Sequence, residues 1–96
     1  MDAILNFRLL SGVFEVYYAL INSSGLASVL HNGTPVYVNY DENYGSSFFL
    51  KAADGDTIEV YAVTNSVGFV GKSIYTVTSS SITVVESNIT TTITAL

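Results

Sequence analysis

The sequence predicts an all-β fold, a two-sheet antiparallel β-sandwich of seven to nine strands that forms a single domain over residues 1–96. The first observation is composition: Val, Thr, Ile, Tyr and Phe supply 41 of the 96 residues, and such β-branched and aromatic side chains fit a pleated sheet better than a helix. The second is a period of two in hydrophobicity along most of the chain. The third is a turn signal after almost every alternating run, of which Asn32-Gly33 is the strongest.

The first part of the chain predicts two strands. Residues 3–10 alternate apolar and polar side chains, and residues 13–21 place a wholly apolar face opposite a mixed one. A membrane-spanning helix over residues 3–21 is the alternative, because the whole stretch is strongly apolar. One Arg, one Glu and a Ser-Gly pair interrupt it, and Val, Phe and Tyr favour strands. We therefore expect two strands and no membrane insertion.

The middle of the chain predicts a hairpin. Residues 26–30 and 35–40 flank Asn32-Gly33, and both residues of that pair tolerate positive φ. Polar residues 41–47 form the next predicted turn. The remaining predicted elements are a strand that starts at Phe48, a turn at Asp54-Gly55-Asp56, a strand over 57–63, a turn at Asn65-Ser66, a short strand over 67–70, a turn at Gly71-Lys72, a strand over 73–78, a break at Ser79-Ser80-Ser81, and one or two strands over 82–96.

One stretch resembles a known class of module. The run Leu50-Lys51-Ala52-Ala53-Asp54-Gly55-Asp56-Thr57-Ile58-Glu59-Val60-Tyr61, followed by a Gly-containing turn and Ser73-Ile74-Tyr75-Thr76-Val77, resembles the middle of immunoglobulin-like and fibronectin-like modules. The resemblance covers about a quarter of the chain and implies an immunoglobulin-like sandwich; a jelly-roll-like sandwich is the alternative topology. Such modules recur in surface-layer proteins, adhesins, pilus subunits and viral capsids or spikes. The sequence lacks the Cys pair and core Trp of antibody domains, and a fold of this kind implies no active site.

The composition offers little chemistry. The chain has 12 Ser and 10 Thr but only 11 charged residues, with no Cys, one His, two Lys and one Arg. Most groups that catalyse, bind a metal or grip phosphate are therefore missing. A formal charge of −5 gives no electrostatic footprint for nucleic acid. We expect no catalytic residue, no cofactor, no metal and no nucleic-acid partner, and a surface that suits packing against copies of the chain or other subunits.

Two clusters keep chemical alternatives open. Asp41-Glu42 and Asp54-Gly55-Asp56 would bind Ca²⁺ if the two loops met in space, since Ca²⁺ takes several oxygen ligands; Asp and Gly are also ordinary turn formers, which is the interpretation we favour. His31 would need a buried carboxylate and an activated Ser to act in a catalytic triad. Because no Ser lies in a nucleophile-elbow motif, we expect an exposed loop histidine and no enzyme. A small hydrolase built on His31 or the acidic loops is the least favoured class.

The tyrosines are the strongest candidates for contact residues. Seven are many for this length, and Tyr favours surfaces with one dry and one wet side. Alternation within the predicted strands places Tyr17, Tyr37 and Tyr61 on the exterior, where they would anchor a subunit interface or stack on sugars. We favour the interface because few polar partners accompany them. Those partners are Glu15, Asn39 and Glu59.

Both ends of the chain are candidate contact segments. Residues 3–10 and 88–96 alternate in hydrophobicity, so they would either close their own sheet or insert into that of a neighbour. Ordinary sheet edges are the simpler interpretation, and strand exchange between copies is the alternative. The candidate contact residues on these segments are Leu5, Phe7, Ile89 and Ile93.

Three Asn-x-Ser/Thr sequons mark candidate glycosylation sites, at Asn22, Asn32 and Asn88. Seven Asn and a Ser/Thr fraction of 22/96 give about 1.6 sequons by chance. The count therefore indicates glycosylation only weakly.

Together these patterns indicate a structural protein, the subunit of a virion (capsid, spike or decoration protein) or of another surface assembly, acting through β-face tyrosines and terminal strands. The start Met1-Asp2-Ala3 lacks the basic region of a secretory signal, which favours a virion over an exported pilus. The expected location is a virion or an extracellular surface. A glycan- or receptor-binding adhesin module is the alternative, and it predicts a Tyr-lined patch on the monomer with saturable binding.

Overall fold

The computed structural model describes residues 2–21, 26–63 and 70–96. Within these ranges the chain forms ten strands, and no helix is long and apolar enough to span a membrane. Residues 3–21 are two strands, as predicted. In chain order the strands are β1 (Asp2–Leu10), β2 (Val13–Ile21), β3 (Ala27–His31), β4 (Thr34–Val36), β5 (Asn39–Asp41), β6 (Gly45–Ala52), β7 (Thr57–Val63), β8 (Val70–Thr78), β9 (Ser81–Ser87) and β10 (Thr90–Ala95).

The strands form two five-stranded sheets, and the predicted β-sandwich is confirmed. Sheet A has the order β10-β1-β2-β6-β5, and sheet B has the order β4-β3-β7-β8-β9. The described pairings are antiparallel except that of β1 with β10, which runs parallel from Asp2↔Thr90 to Phe7↔Ala95. At both long edges the chain passes directly from one sheet to the other, from β4 to β5 and from β9 to β10. The first and last strands are therefore neighbours in sheet A.

The core lies between the sheets and is built by strict alternation. The inward side chains of β2 are buried while Tyr17 between them is exposed. The Tyr18 ring stacks on Phe48 with centroids 4.8 Å apart and meets Tyr75 of sheet B edge-on at 6.2 Å. The largest fully buried apolar side chains are Tyr75, Phe14, Leu5, Leu20, Ile58, Val16, Val60 and Val77.

One predicted strand is in fact two. The run 35–40 divides at Tyr37 and Val38, so that β4 lies in sheet B and β5 in sheet A. The alternation continues through the crossing, so the pattern does not show that the chain changes sheet there. This division adds one strand to the predicted set, and the total of ten exceeds the predicted seven to nine.

Two further boundaries differ from the predictions. The turn predicted over 41–47 ends early, because β6 begins at Gly45 and Ser46 is buried. The turn predicted at Gly71-Lys72 lies inside β8, where Gly71 is paired with Ala62 on β7. A glycine is tolerated in a strand where another chain approaches closely. The predicted turn at Asn65-Ser66 and most of the strand predicted over 67–70 lie outside the described residues.

The hairpin predicted at Asn32-Gly33 is confirmed. Both residues have positive φ, 50° and 82°, which is the geometry of the type I′ turn that suits the twist of two paired strands. Ser11-Gly12 closes the β1–β2 hairpin in the same way, with φ of 52° and 79°. Local turn chemistry thus fixes two of the hairpins.

Candidate functional site

The outer face of sheet A exposes aromatic side chains where a sheet facing water usually carries polar ones. Tyr17 is 38% exposed and Phe49 is 47% exposed. Their ring centroids lie 5.0 Å apart with the planes tilted by 42°, so the two rings form an exposed platform. The strand register places the platform in the first of two rows, Asn6–Tyr17–Phe49 and Ile4–Ala19–Ser47.

A groove of about 690 Å³ lies over this platform. Tyr37, in the segment that joins β4 to β5, and Asn39, the first residue of β5, form part of its wall. Tyr37 is 83% exposed, and no lining residue is charged. The volume is in the range of small-molecule sites, about 300–1,000 Å³. We call this site the aromatic groove and define it by Ile4, Asn6, Tyr17, Tyr37, Asn39 and Phe49.

Charged residues border the aromatic groove. Arg8, Glu15 and Lys51 form the next row across β1, β2 and β6, and Arg8 Nε lies 2.6 Å from Glu15 Oε1. This hydrogen bond raises the pKa of the Arg8 guanidinium further. With Asp2, the three strands carry two positive and two negative side chains. They are therefore neutral overall in a chain whose formal charge is −5.

The structure brings two of the three predicted contact tyrosines together. Tyr17 and Tyr37 both line the aromatic groove, and Asn39 lies beside them. Tyr61 lies on β7 in sheet B, where its hydroxyl donates a hydrogen bond to Glu59. That bond raises the pKa of Tyr61. A contact role for each of the three stays a prediction.

The candidate residues on the terminal segments lie in or against the core. Leu5, Phe7 and Ile89 are 0%, 4% and 3% exposed, and Ile93 is partly buried against them. β1 is an interior strand, whereas β10 is the edge of sheet A. In the single chain the terminal segments thus close their own sheet. An interface role for the three buried side chains would require strand exchange between copies.

His31 is not the exposed loop residue that the sequence predicts. It ends β3, is partly buried, and its Nε2 lies 2.7 Å from Asp56 Oδ2. The Ala53 amide donates to the same oxygen at 2.9 Å. That backbone bond, followed by contacts with Asn32 and His31, holds the pKa of Asp56 below its usual value. The prediction was wrong because the β3–β4 hairpin meets the β6–β7 turn in space.

This cluster contains only part of a catalytic triad. Asp56 supplies a carboxylate beside the His31 ring, but no serine in the described ranges hydrogen-bonds to that ring. A nucleophile activated by the imidazole is the group that such a mechanism requires. The contacts found here link two turns to each other.

The two acidic loops lie at opposite ends of β6. Asp41-Glu42 precedes this strand and Asp54-Gly55-Asp56 follows it. Eight residues at about 3.3 Å each separate the loops by roughly 25 Å. Among the described residues, no group of three or more His, Cys, Asp or Glu side chains could hold a metal ion.

Two of the three sequon asparagines have a structural role. Asn32 Oδ1 accepts a hydrogen bond from the Thr57 amide at 2.8 Å, and Asn88 Oδ1 accepts one from the Lys72 amide at 2.7 Å. Both asparagines are exposed. Each side chain therefore ties its own turn to another strand. Asn22 lies outside the described residues.

Sequence reasoning missed Phe49, Asn6 and Ile4 as groove residues. The alternation of side chains along a strand could have predicted that Phe49 is exposed, because Phe48 and Leu50 on either side of it are buried. Asn6 and Ile4 required the register of β1 against β2, which the pattern of one strand does not contain.

The aromatic groove, the neutral strands that carry it and the His31–Asp56 cluster are the chemically distinctive features of the described chain. No protein-family model, no curated protein and no solved structure matches the sequence or the fold, so the function has to be argued from this geometry.

Proposed function

We propose that the chain is a structural subunit of a surface assembly, in a virion or on a cell surface, and that it contacts neighbouring copies through the aromatic groove. The observation that carries the proposal is the exposed Tyr17–Phe49 platform. Contiguous exposed apolar surface is typical of interaction sites. Aromatic side chains are also the commonest anchors of protein interfaces.

Charge supports contact between copies of the chain at this face. Two copies with a formal charge of −5 each repel one another over most of their surfaces. The strands that carry the platform have two side chains of each sign, so they add no net charge at this face. The resemblance to immunoglobulin-like modules is compatible with the proposal, since such modules are found in virion and surface proteins.

Light scattering over about a hundredfold range of concentration tests the proposal. We expect the wild-type mass to rise above that of the 10.3 kDa monomer, and the variant Tyr17→Thr/Phe49→Thr to form smaller species. Thr keeps the strand preference of both positions but removes the rings. The matched control is Tyr44→Thr, which removes a 78% exposed ring outside the groove and should keep the wild-type mass. A wild-type chain that stays monomeric throughout would rule out self-assembly.

A glycan- or receptor-binding module is the second candidate, and the polar lining of the groove favours it. Asn6, Asn39 and Ser47 place amides and a hydroxyl in the same groove as the rings. A sugar ring needs both an apolar platform and polar partners around it. In this case the chain stays monomeric, and titration with neutral pyranosides gives saturable changes in its NMR spectrum. Asn6→Ala/Asn39→Ala should then weaken binding by about tenfold, and a spectrum that no pyranoside changes would exclude sugar binding in the groove.

A further inference from the structure

We infer that the free edge of β10 pairs with β10 of a second copy, so that the two A sheets join across a two-fold axis into one continuous sheet. This inference rests on the proposed function, because it names a second contact through which subunits would assemble. The β10 edge is the side of Thr90–Ala95 that faces away from β1. No strand of the described ranges pairs with that side.

The other sheet edges are protected in ways that β10 is not. β4 and β5 have three residues each, and Pro35 removes a hydrogen-bond donor from β4. In β9 a register shift leaves Val85 as an extra residue, and Glu86 would meet its own charge on a second copy. β10 has six residues and pairs in regular register with β1. Short length, proline, bulges and charge are the features that keep edge strands from pairing with other chains. Of these, β10 has only a moderately short length, six residues.

The chemistry of the edge selects a second copy as the partner. No charged side chain occurs between Ser87 and Leu96, although the chain as a whole has a formal charge of −5. An edge adapted to a charged partner would carry the complementary charge. A second copy meets only hydroxyl, methyl and alkyl groups here, so the approach brings no like charges together.

The backbone shows which residues line the free edge. The Leu96 amide donates to the Phe7 carbonyl at 2.7 Å, so Leu96 turns its backbone groups towards β1. Successive residues of a strand turn them to opposite sides. The free edge therefore presents the amide and carbonyl groups of Thr91, Ile93 and Ala95.

One antiparallel register uses all of these groups. When the pairing is centred on Ile93, that residue lies opposite its own copy, and Thr91 lies opposite Ala95. Each such pair exchanges two backbone hydrogen bonds, which gives about six in all. In the same register Thr92 lies opposite Thr94 on the exposed side of the sheet, at the closer side-chain spacing of an antiparallel pair.

Charge exchange at this Thr pair tests the inference. We prepare Thr92→Glu/Thr94→Glu and Thr92→Lys/Thr94→Lys in the background Tyr17→Thr/Phe49→Thr, where the groove contact is absent. Sedimentation velocity should show dimers for the background and monomers for each charged variant, because like charges then face each other. An equimolar mixture of the two should recover the dimer, since every facing pair becomes Glu with Lys. If general charge repulsion were the cause, the two variants would differ. The Glu variant, with a formal charge of −7, would become monomeric, whereas the Lys variant, with −3, would stay dimeric.

The matched control places the same charge at the opposite long edge of the sandwich. Ser28→Glu/Thr34→Glu on β3 and β4 should keep the background dimer, since both residues are exposed and lie at the edge far from β10. A monomeric background, a charged pair that stays dimeric, or a mixture that stays monomeric would each overturn the inference. A control that dissociates would also overturn it. The proposed function fails separately, when the wild type is monomeric or when the groove variant keeps the full wild-type mass.

Discussion

Asp56 joins three parts of the chain that are separate in sequence. Its Oδ2 accepts hydrogen bonds from the Ala53 amide at 2.9 Å and from His31 at 2.7 Å. Its own amide donates to the Ala53 carbonyl at 3.0 Å, and its carbonyl accepts from the Val77 amide at 2.9 Å. One side chain and its backbone thus join β3, the β6–β7 turn and β8.

We expect Asp56→Asn to lower the free energy of unfolding at pH 7 by about 1–2 kcal/mol. Asn keeps an acceptor for the Ala53 amide but loses the charge that strengthens both hydrogen bonds. Urea unfolding measures the difference. The control is Asp54→Asn in the same turn, where the side chain is exposed and the change should stay within about 0.5 kcal/mol. Equal effects at the two positions would contradict the role given to Asp56.

The pH dependence of this effect has a definite sign. The pKa of Asp56 is lowered in the folded chain, by the Ala53 amide first, while that of an unfolded Asp is about 3.9. Between the two values the unfolded chain binds more protons, so the stabilisation is complete above the unfolded pKa and is lost as pH falls through the folded pKa. The difference between wild type and Asp56→Asn should therefore shrink from about pH 5 downwards. A difference that stays constant to low pH would show that the carboxylate charge is not its source.

At the scale of the elements, Gly45 sets how β6 begins. It has a φ of 95° and pairs with Asp41 across the β5–β6 hairpin. A Cβ at this position would lie 2.2 Å from the carbonyl oxygen of Leu20 on β2. Because that atom belongs to the backbone of a paired strand, it has little room to move. Only glycine therefore allows β6 to start against β2 here.

We expect Gly45→Ala to cost more than about 3 kcal/mol or to prevent folding, since left-handed strain adds to the clash. Gly33→Ala is the matched control. Gly33 has a similar φ of 82°, but a Cβ there meets nothing within 4 Å, so the cost should be about 1 kcal/mol. Thermal and urea unfolding of the two variants give the comparison. Similar losses would show that the close approach to Leu20 is relieved in solution.

The elements were predictable where short-range chemistry decides them. Asn32-Gly33 and Ser11-Gly12 formed the expected turns because both sites require positive φ within two residues. The crossing at Tyr37 and Val38 was not predictable, since it depends on which sheet offers a partner strand. The same limit applies to Gly71, whose turn preference yields to its pairing with Ala62.

The candidate site was predictable only in part, for the same reason. Alternation placed Tyr17 and Tyr37 on the exterior, and both are exposed. Their convergence on one groove depends on the β4–β5 crossing, which no local pattern contains. His31 and Asp56 each have the sequence context of an isolated turn residue, and only the meeting of the β3–β4 hairpin with the β6–β7 turn brings them together.

At the scale of the whole molecule, the chain connects the two sheets at both long edges of the sandwich. The chain bridges one long edge of the sandwich between β4 and β5 and the other between β9 and β10. β10 then returns to the strand with which the described chain begins, and Tyr75 of sheet B holds it through a hydrogen bond of 2.8 Å to Thr91. The two sheets are therefore joined at both edges as well as through the core.

The pairing of β1 with β10 also sets an order of events in time. Contacts between residues far apart in sequence form slowly, so we expect refolding in milliseconds to seconds, as is usual for sandwich folds. Stopped-flow tyrosine fluorescence measures this rate, and refolding within microseconds would contradict the expectation. During synthesis β1 emerges before β10, with eight other strands between them. In that interval the side of β1 that β10 covers in the folded chain is an open sheet edge, which can pair with any strand of suitable register.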